Sequence, residues 1–292
     1  MAHQRAMDRA LAVGDVIGGY DIVSVLEMGR AYAAVHRASG RRVVVETARA
    51  ADLREVRVAH PGIAKVVERG MFTDASGLPL AGRRAWRAVE LADGLALYDV
   101  LGRRRLAAFE CAILVRDLAE ILAYAHDRGA VHGALAIGAI TLATDPAAPA
   151  GASIRAWGAP VDPGANAFVA PEGRGDARAD VYALGVIAYR ALTGLFPTTI
   201  VVDAPEPGEL GALVLRMLAH DPTDRPTAAQ ARMIAADLTV DRSGDDKVGI
   251  APGPRFARPK WTPPPPDRAT ATPPAGVPVV MPLGSADRGP RS

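Results

Sequence analysis

Cysteine is almost missing from this sequence: Cys111 is the only one in 292 residues. A single thiol cannot close an intrachain disulfide, and there is no cysteine cluster to hold a structural zinc. Long apolar runs are missing too, and none approaches the roughly 18 residues that a membrane helix needs. The opening stretch MAHQRAMDRALAVGD has neither an apolar core nor a cleavage site, so it does not read as a secretory signal. A reducing, cytoplasmic setting is therefore expected, with no membrane partner. An excess of charge of one sign is also lacking: the net charge is +2 with 23% charged residues. That balance argues against a dedicated nucleic-acid binder and against a polybasic membrane-surface protein. Lysine is confined to Lys65, Lys247 and Lys260, and asparagine to Asn166 alone. The many arginines read as a compositional habit and not as a functional patch. The scarcity of lysine and asparagine limits the chemistry open to the chain.

What is present suits a folded chain: 49% hydrophobic residues over a length of about two domains, or one larger domain with a tail. Half of the 24 prolines fall between Pro252 and Pro290, with Pro263 to Pro266 in a row. Residues 241–292 therefore read as a disordered, proline-rich tail, either a spacer or a docking peptide for a partner's aromatic groove. Residues 20–27, 31–38, 42–48, 64–72 and 84–91 are short runs rich in β-branched and aromatic residues, bounded by glycine, proline or charge. Between the third and fourth, residues 52–59 are long enough for about two turns of helix. After Gly94 the period changes. Leu114, Leu118, Ile121, Leu122 and Ala125 share one helical face in a helix ending near Gly129. Val181, Leu184, Ile187, Ala188 and Ala191 do the same in a segment apolar almost all round, hence buried. Leu210, Leu213, Val214, Met217 and Leu218 mark a third helix. Thr227 with Gln230 makes a capping box for a fourth, running to about Leu238. Strands first and helices after predict an α+β protein of two unequal lobes, with the cleft between them as the default ligand site.

Six phrases, in order over some 220 residues, resemble the protein kinases, in particular the bacterial serine/threonine kinases that are similar to eukaryotic ones. They are HPGIAKVVERG (60–70), WRAVELADGLALYDVL (86–101), LAYAHDRGAVHGAL (122–135), FVAPE (168–172), ADVYALGVIAYRALTG (179–194) and LVLRMLAHDPTDRPTAAQA (213–231). The resemblance implies a two-lobed kinase-like fold. A small strand-rich N-lobe (residues 15–90) and a larger helical C-lobe (91–240) would form the domain, between an N-terminal extension (1–14) and the tail (241–292).

The phrases that carry kinase chemistry depart from the family pattern, which needs a glycine-rich loop, a strand lysine, a catalytic-loop Asp and Asn, and a magnesium-binding Asp. The loop LEMGRAYAAV keeps only Gly29, and Ala31, Tyr32 and Ala33 are poor at bringing backbone amides close to phosphate. Glu46 stands where the resemblance puts the lysine. Gly133 and Ala134 stand for the Arg and catalytic Asp after His132, Ala136 for the Lys and Ala139 for the magnesium Asn. Ala156 stands for the metal-binding Asp, before Trp157 and Gly158. Across about 4 Å at an effective dielectric near 20, one like-charge contact costs on the order of 4 kcal/mol, so Glu46 sets a repulsion against a polyphosphate. The degenerate cleft is expected to be lined by Gly29, Val44, Glu46, Val89 and Glu90. No side-chain cation or held metal is expected there, ATP and magnesium binding is expected to be weak or absent, and no catalytic residue or cofactor is assigned.

Other matching residues read as scaffold. Glu172 and Arg225 resemble the buried ion pair beneath the A-P-E segment, Asp180 and His132 the supports of the catalytic loop, and Trp157 with His132 part of the apolar spine. Glu46 is either solvated or paired with Arg54 or Arg57 on the short helix, where Glu55 is the best candidate for the family's glutamate. Asp145, Asp162 and Asp127 lie nearest the lost aspartates, but Asp145 and Asp162 precede prolines in turn dipeptides. Cys111 reads as a small core residue. The expectation is a catalytically inactive, kinase-like signalling domain that acts as a protein-binding or regulatory scaffold. The alternatives are a weakly active kinase with non-standard residues and a metal-independent nucleotide sensor.

Overall fold

The computed structural model describes residues 10–27, 29–54, 56–73, 84–145, 148, 150–159, 167–197 and 204–240, all within one compact unit. The proline-rich tail (241–292), Glu55, Asp162 and Asn166 lie outside the described residues.

The N-lobe is one antiparallel sheet of six strands: β1 (Val16–Ile17), β2 (Tyr20–Glu27), β3 (Ala31–His36), β4 (Arg42–Arg49), β5 (Val66–Met71) and β6 (Arg84–Glu90). Their order is β1-β2-β3-β4-β6-β5. Alternation sorts the side chains by face. Val43 and Val45 of β4, with Trp86 and Ala88 of β6, join Tyr20, Ile22 and Tyr32 in the N-lobe core. Val44 and Glu46 point the other way, directly opposite Val89 and Arg87 on β6. The Trp86 indole lies against Gly18 and Gly70, where an added Cβ would come within 2.1 and 2.5 Å of the ring.

The C-lobe begins with β7 (Leu95–Ala96), which joins β8 (Ile140–Leu142) and β9 (Ala152–Ile154) in a small second sheet. Its described helices are α1 (Leu97–Arg103), α2 (Ala108–His126), α3 (Ala177–Thr193), α4 (Glu209–Met217) and α5 (Ala228–Asp237). Asp176 caps α3 by accepting from the Arg178 and Ala179 amides. Thr227 and Gln230 form the expected reciprocal box at the start of α5. Leu114, Leu118 and Leu122 of α2 meet Leu184, Ile187 and Ala188 of α3 in one continuous core. Among the described residues no helix is long and apolar enough to cross a membrane.

The expected helix over 52–59 is absent. A 3-10 turn, Ala50–Asp52, ends at Leu53, and the described residues from there to His60 are irregular. The Arg54 amide donates to the Gly158 carbonyl at 2.9 Å, which ties this segment to the C-lobe. Val56 and Val58 are β-branched, and Pro61 disfavours a helical His60. A segment this short has little helical stability of its own.

Candidate functional site

Between the lobes lies a cavity of about 680 Å³. Val25, Leu26 and Val44 line it from the sheet, Ile137 and Ile140 from below, and Tyr98, Phe168 and Phe196 stand at its edge. The rings of Phe168 and Phe196 meet edge to face with centroids 5.5 Å apart. Ala134, Ala136, Ala139 and Ala156 all face this cavity and present only methyls to it. Val44 and Glu46 line it as expected. Gly29, Val89 and Glu90 do not. Gly29 sits at the β2–β3 hairpin tip, its carbonyl bound by the Thr47 hydroxyl at 2.9 Å. Val89 and Glu90 open onto a second groove beyond β6, and Glu90 is paired with Arg41 at 2.8 Å.

Glu46 corrects two expectations. It is neither solvated nor paired with Arg54 or Arg57, but 3% exposed and held between two other arginines. Arg87, opposite it on β6, donates from Nε to Oε2 at 2.7 Å; its Nη2 lies equally close to that oxygen but makes no hydrogen bond. Arg155 donates from Nη1 to Glu46 Oε1 at 3.1 Å. The Arg155 Nη2 donates to Glu27 Oε1 and to the Gly138 carbonyl, each at 2.7 Å. Two carboxylates and two guanidiniums thus cancel at the inner end of the cleft. The expectation of a cleft without a side-chain cation is also corrected, since Arg155 and Arg30 both line it. Arg155 is nevertheless saturated by partners of this chain. Breaking such a buried set by removing one member costs on the order of 3–5 kcal/mol, because a charge is left uncompensated.

Arg87 and Arg155 carry this arrangement and were not singled out from the sequence. The one available signal was an arginine inside the buried run RAWRAVE, where a charge needs a partner.

Below the cleft, Asp180 at the start of α3 accepts the backbone amides of His132 and Gly133, each at 2.8 Å, and lies 2.9 Å from His126 Nε2. The His132 ring donates from Nε2 to the Arg155 carbonyl at 2.8 Å and accepts the Ala134 amide at Nδ1, 3.1 Å away. That network fixes a neutral tautomer. Burial pushes the His132 pKa down, opposed by the nearby Asp180 charge. Trp157 packs on this ring at 4.8 Å and donates to the Ile154 carbonyl. Glu172 takes a bidentate grip from Arg225 at 2.6 and 2.7 Å, and the hydrogen-bonded guanidinium holds its carboxyl below the usual range. Ala156 has φ +66°, the left-handed region, alone among the described non-glycine residues. Among the described residues no three His, Cys, Asp or Glu side chains group as a metal site.

No protein-family profile matches the chain. The chain is 28% identical to serine/threonine-protein kinase PknJ of Mycobacterium tuberculosis, over 78% of this chain and 41% of that protein. It is 29% identical to serine/threonine-protein kinase PknA of the same organism, over 89% of this chain and 67% of that protein. It is 26% identical to Saccharomyces cerevisiae YPL150W, whose name assigns it provisionally to the serine/threonine-protein kinases, over 73% of this chain and 27% of that protein. The chain thus spans well under half the length of two of these relatives. The two-lobed α+β fold is kinase-like, and the chain is similar in sequence to serine/threonine-protein kinases.

Proposed function

We infer that this is a catalytically silent kinase-like domain that works by binding a protein partner. The observation that carries the reading is the Arg155 guanidinium locked between Glu46, Glu27 and the Gly138 carbonyl. Phosphoryl transfer in this family is positioning plus electrostatic stabilisation by cations. Here the cations at the inner end are spent on internal carboxylates, which leaves no net positive charge there for a phosphate. The side chains at 134, 139 and 156 offer no oxygen, so the residues present do not fit a magnesium-bound nucleotide. The intact scaffold beneath supports a binding role: Asp180 under the loop, Glu172 with Arg225, and a buried α3.

The test is a thermal-shift series with ATP and ADP, with and without magnesium, beside a labelled-phosphate transfer assay. The expected result is no magnesium-dependent shift and no transfer. Magnesium-dependent transfer would overturn the reading. The cavity itself favours a second reading, a metal-independent nucleotide sensor, because about 680 Å³ falls in the range of small-molecule sites. A melting shift with ATP that ignores chelator would select it.

A further inference from the structure

The face of the sheet turned toward the C-lobe is divided by the Glu46–Arg87 pair. On the β4 side lies the cleft. On the β5–β6 side lies a separate groove of about 730 Å³, bounded by Arg54 and by residues 56–65, which lie outside any helix or named strand. Its floor is apolar, with Val56, Val58, Val66 and Val89. Its rim is cationic, with Arg54, Arg57, Lys65 and Arg69 exposed along it. Among the described lining residues the one acid, Glu90, is paired with Arg41. Arg54 and Lys65 have no carboxylate partner among the described residues. Arg87 closes the inner wall, 5% exposed and paired with Glu46 at 2.7 Å, so the charge offered to a ligand is that of the rim.

We propose that this groove docks an acidic, amphipathic segment of a partner protein. Apolar floor and cationic rim together call for a ligand with apolar anchors and flanking carboxylates. A nucleic acid does not suit it, since a sugar-phosphate strand cannot cover a valine floor. The one aromatic ring facing the groove beside His60, Trp157, is 4% exposed and unavailable for stacking bases. The chain's own ends do not suit it either. Residues 241–292 hold five aspartates against eight arginines and lysines, and residues 1–9 are also net basic. Both would be repelled by the rim. The proposal rests on the protein-binding part of the function inferred above and gives it a location.

The test uses the full chain and a fluorescein-labelled synthetic peptide of about sixteen residues, with leucines at i, i+3, i+4 and i+7 and glutamates elsewhere. Fluorescence anisotropy is expected to show binding that weakens as salt is raised from about 50 to 300 mM. The same peptide with lysine for glutamate is expected not to bind. Inverting the rim with Arg54→Glu and Lys65→Glu together should weaken binding about tenfold or more. Both residues are exposed, so melting should be unchanged. Val58→Asp should act in the same direction, and Tyr98→Ala, at the cleft mouth, should have no effect. The proposal is overturned if the acidic peptide does not bind, if Tyr98→Ala weakens it as much as rim inversion, or if heparin binds through the same two cations while the peptide does not. Phosphate transfer measured on the same preparation separates the two claims. Absent peptide binding with absent transfer removes the groove alone; peptide binding with magnesium-dependent transfer removes catalytic silence alone.

Discussion

Position 46 is where the substitution of one charge is felt most strongly. Glu46 is buried against Arg87 and Arg155, so Glu46→Lys would place three cations together and leave Arg155 with Glu27 as its one carboxylate beside the Gly138 carbonyl. The expected loss is on the order of 3–5 kcal/mol, read from the urea midpoint, with Glu46→Gln losing less. An unchanged midpoint for Glu46→Lys would refute the buried network. Ala156 gives the opposite expectation. Its φ of +66° costs a residue with a Cβ roughly 1–2 kcal/mol, which glycine escapes. Glycine in turn loses more backbone entropy on folding, so Ala156→Gly should leave stability unchanged or raise it by up to about 1 kcal/mol. A loss of that size, as for an ordinary Ala→Gly change in a helix, would show that the left-handed backbone at 156 carries no strain.

Between elements, the loop after α2 is held to α3 by Asp180, and its His132 is kept neutral by burial. A histidine whose folded pKa lies below its ordinary 6.5 contributes stability that is fully present above that value. The contribution drains as pH falls, because the unfolded chain takes up a proton that the folded one refuses. Protonating Nδ1 would also cost the Ala134 amide its acceptor. Glu172, depressed by Arg225, acts the same way lower down, below about 4.5. Stability is therefore expected to fall in two steps on acidification. His132→Gln should flatten the first, which sets in below 6.5, in denaturant curves taken across a pH series. Burial lowers the His60 pKa as well, so some slope remains. If the variant keeps the full wild-type slope, His132 is not the group responsible.

The elements legible in the sequence were those whose signal is local. The strands show as short β-branched and aromatic runs, and Thr227 with Gln230 marks the start of α5. Residues 52–59 misled because so short a segment, with β-branched Val56 and Val58 and Pro61 beyond it, has little helical stability of its own. The sheet of β7, β8 and β9 went unread because strands of two or three residues leave almost no periodicity. At the site, the alanines and Glu46 that line the cavity were legible, since they stand in ordered phrases. The pairing of Glu46 was not, because it meets Arg87 at a separation of 41 residues and Arg155 at 109.

Across the whole molecule, Arg155 ties the lobes together. Its guanidinium reaches Glu27 and Glu46 in the N-lobe sheet and the Gly138 carbonyl in the C-lobe. The approach is tight: a Cβ at Gly138 would lie 3.1 Å from Glu27 Oε1. In an enzyme that must admit and release a nucleotide, such a clasp across the cleft would obstruct turnover. In a binding scaffold it holds one lobe arrangement. Arg155→Ala removes the clasp and leaves both lobe cores untouched, because the side chain belongs to neither. Amide exchange should then rise about tenfold or more along β4 and in the turn Ile137–Ala139, where opening is local, while the centres of α2 and α3 keep their protection. Arg155→Lys should fall between the two, since one ammonium cannot span three acceptors on separate elements in the guanidinium's fork geometry. If exchange at β4 and at the turn stays at the wild-type level in Arg155→Ala, the lobes are held by packing alone and the clasp has no part in their arrangement.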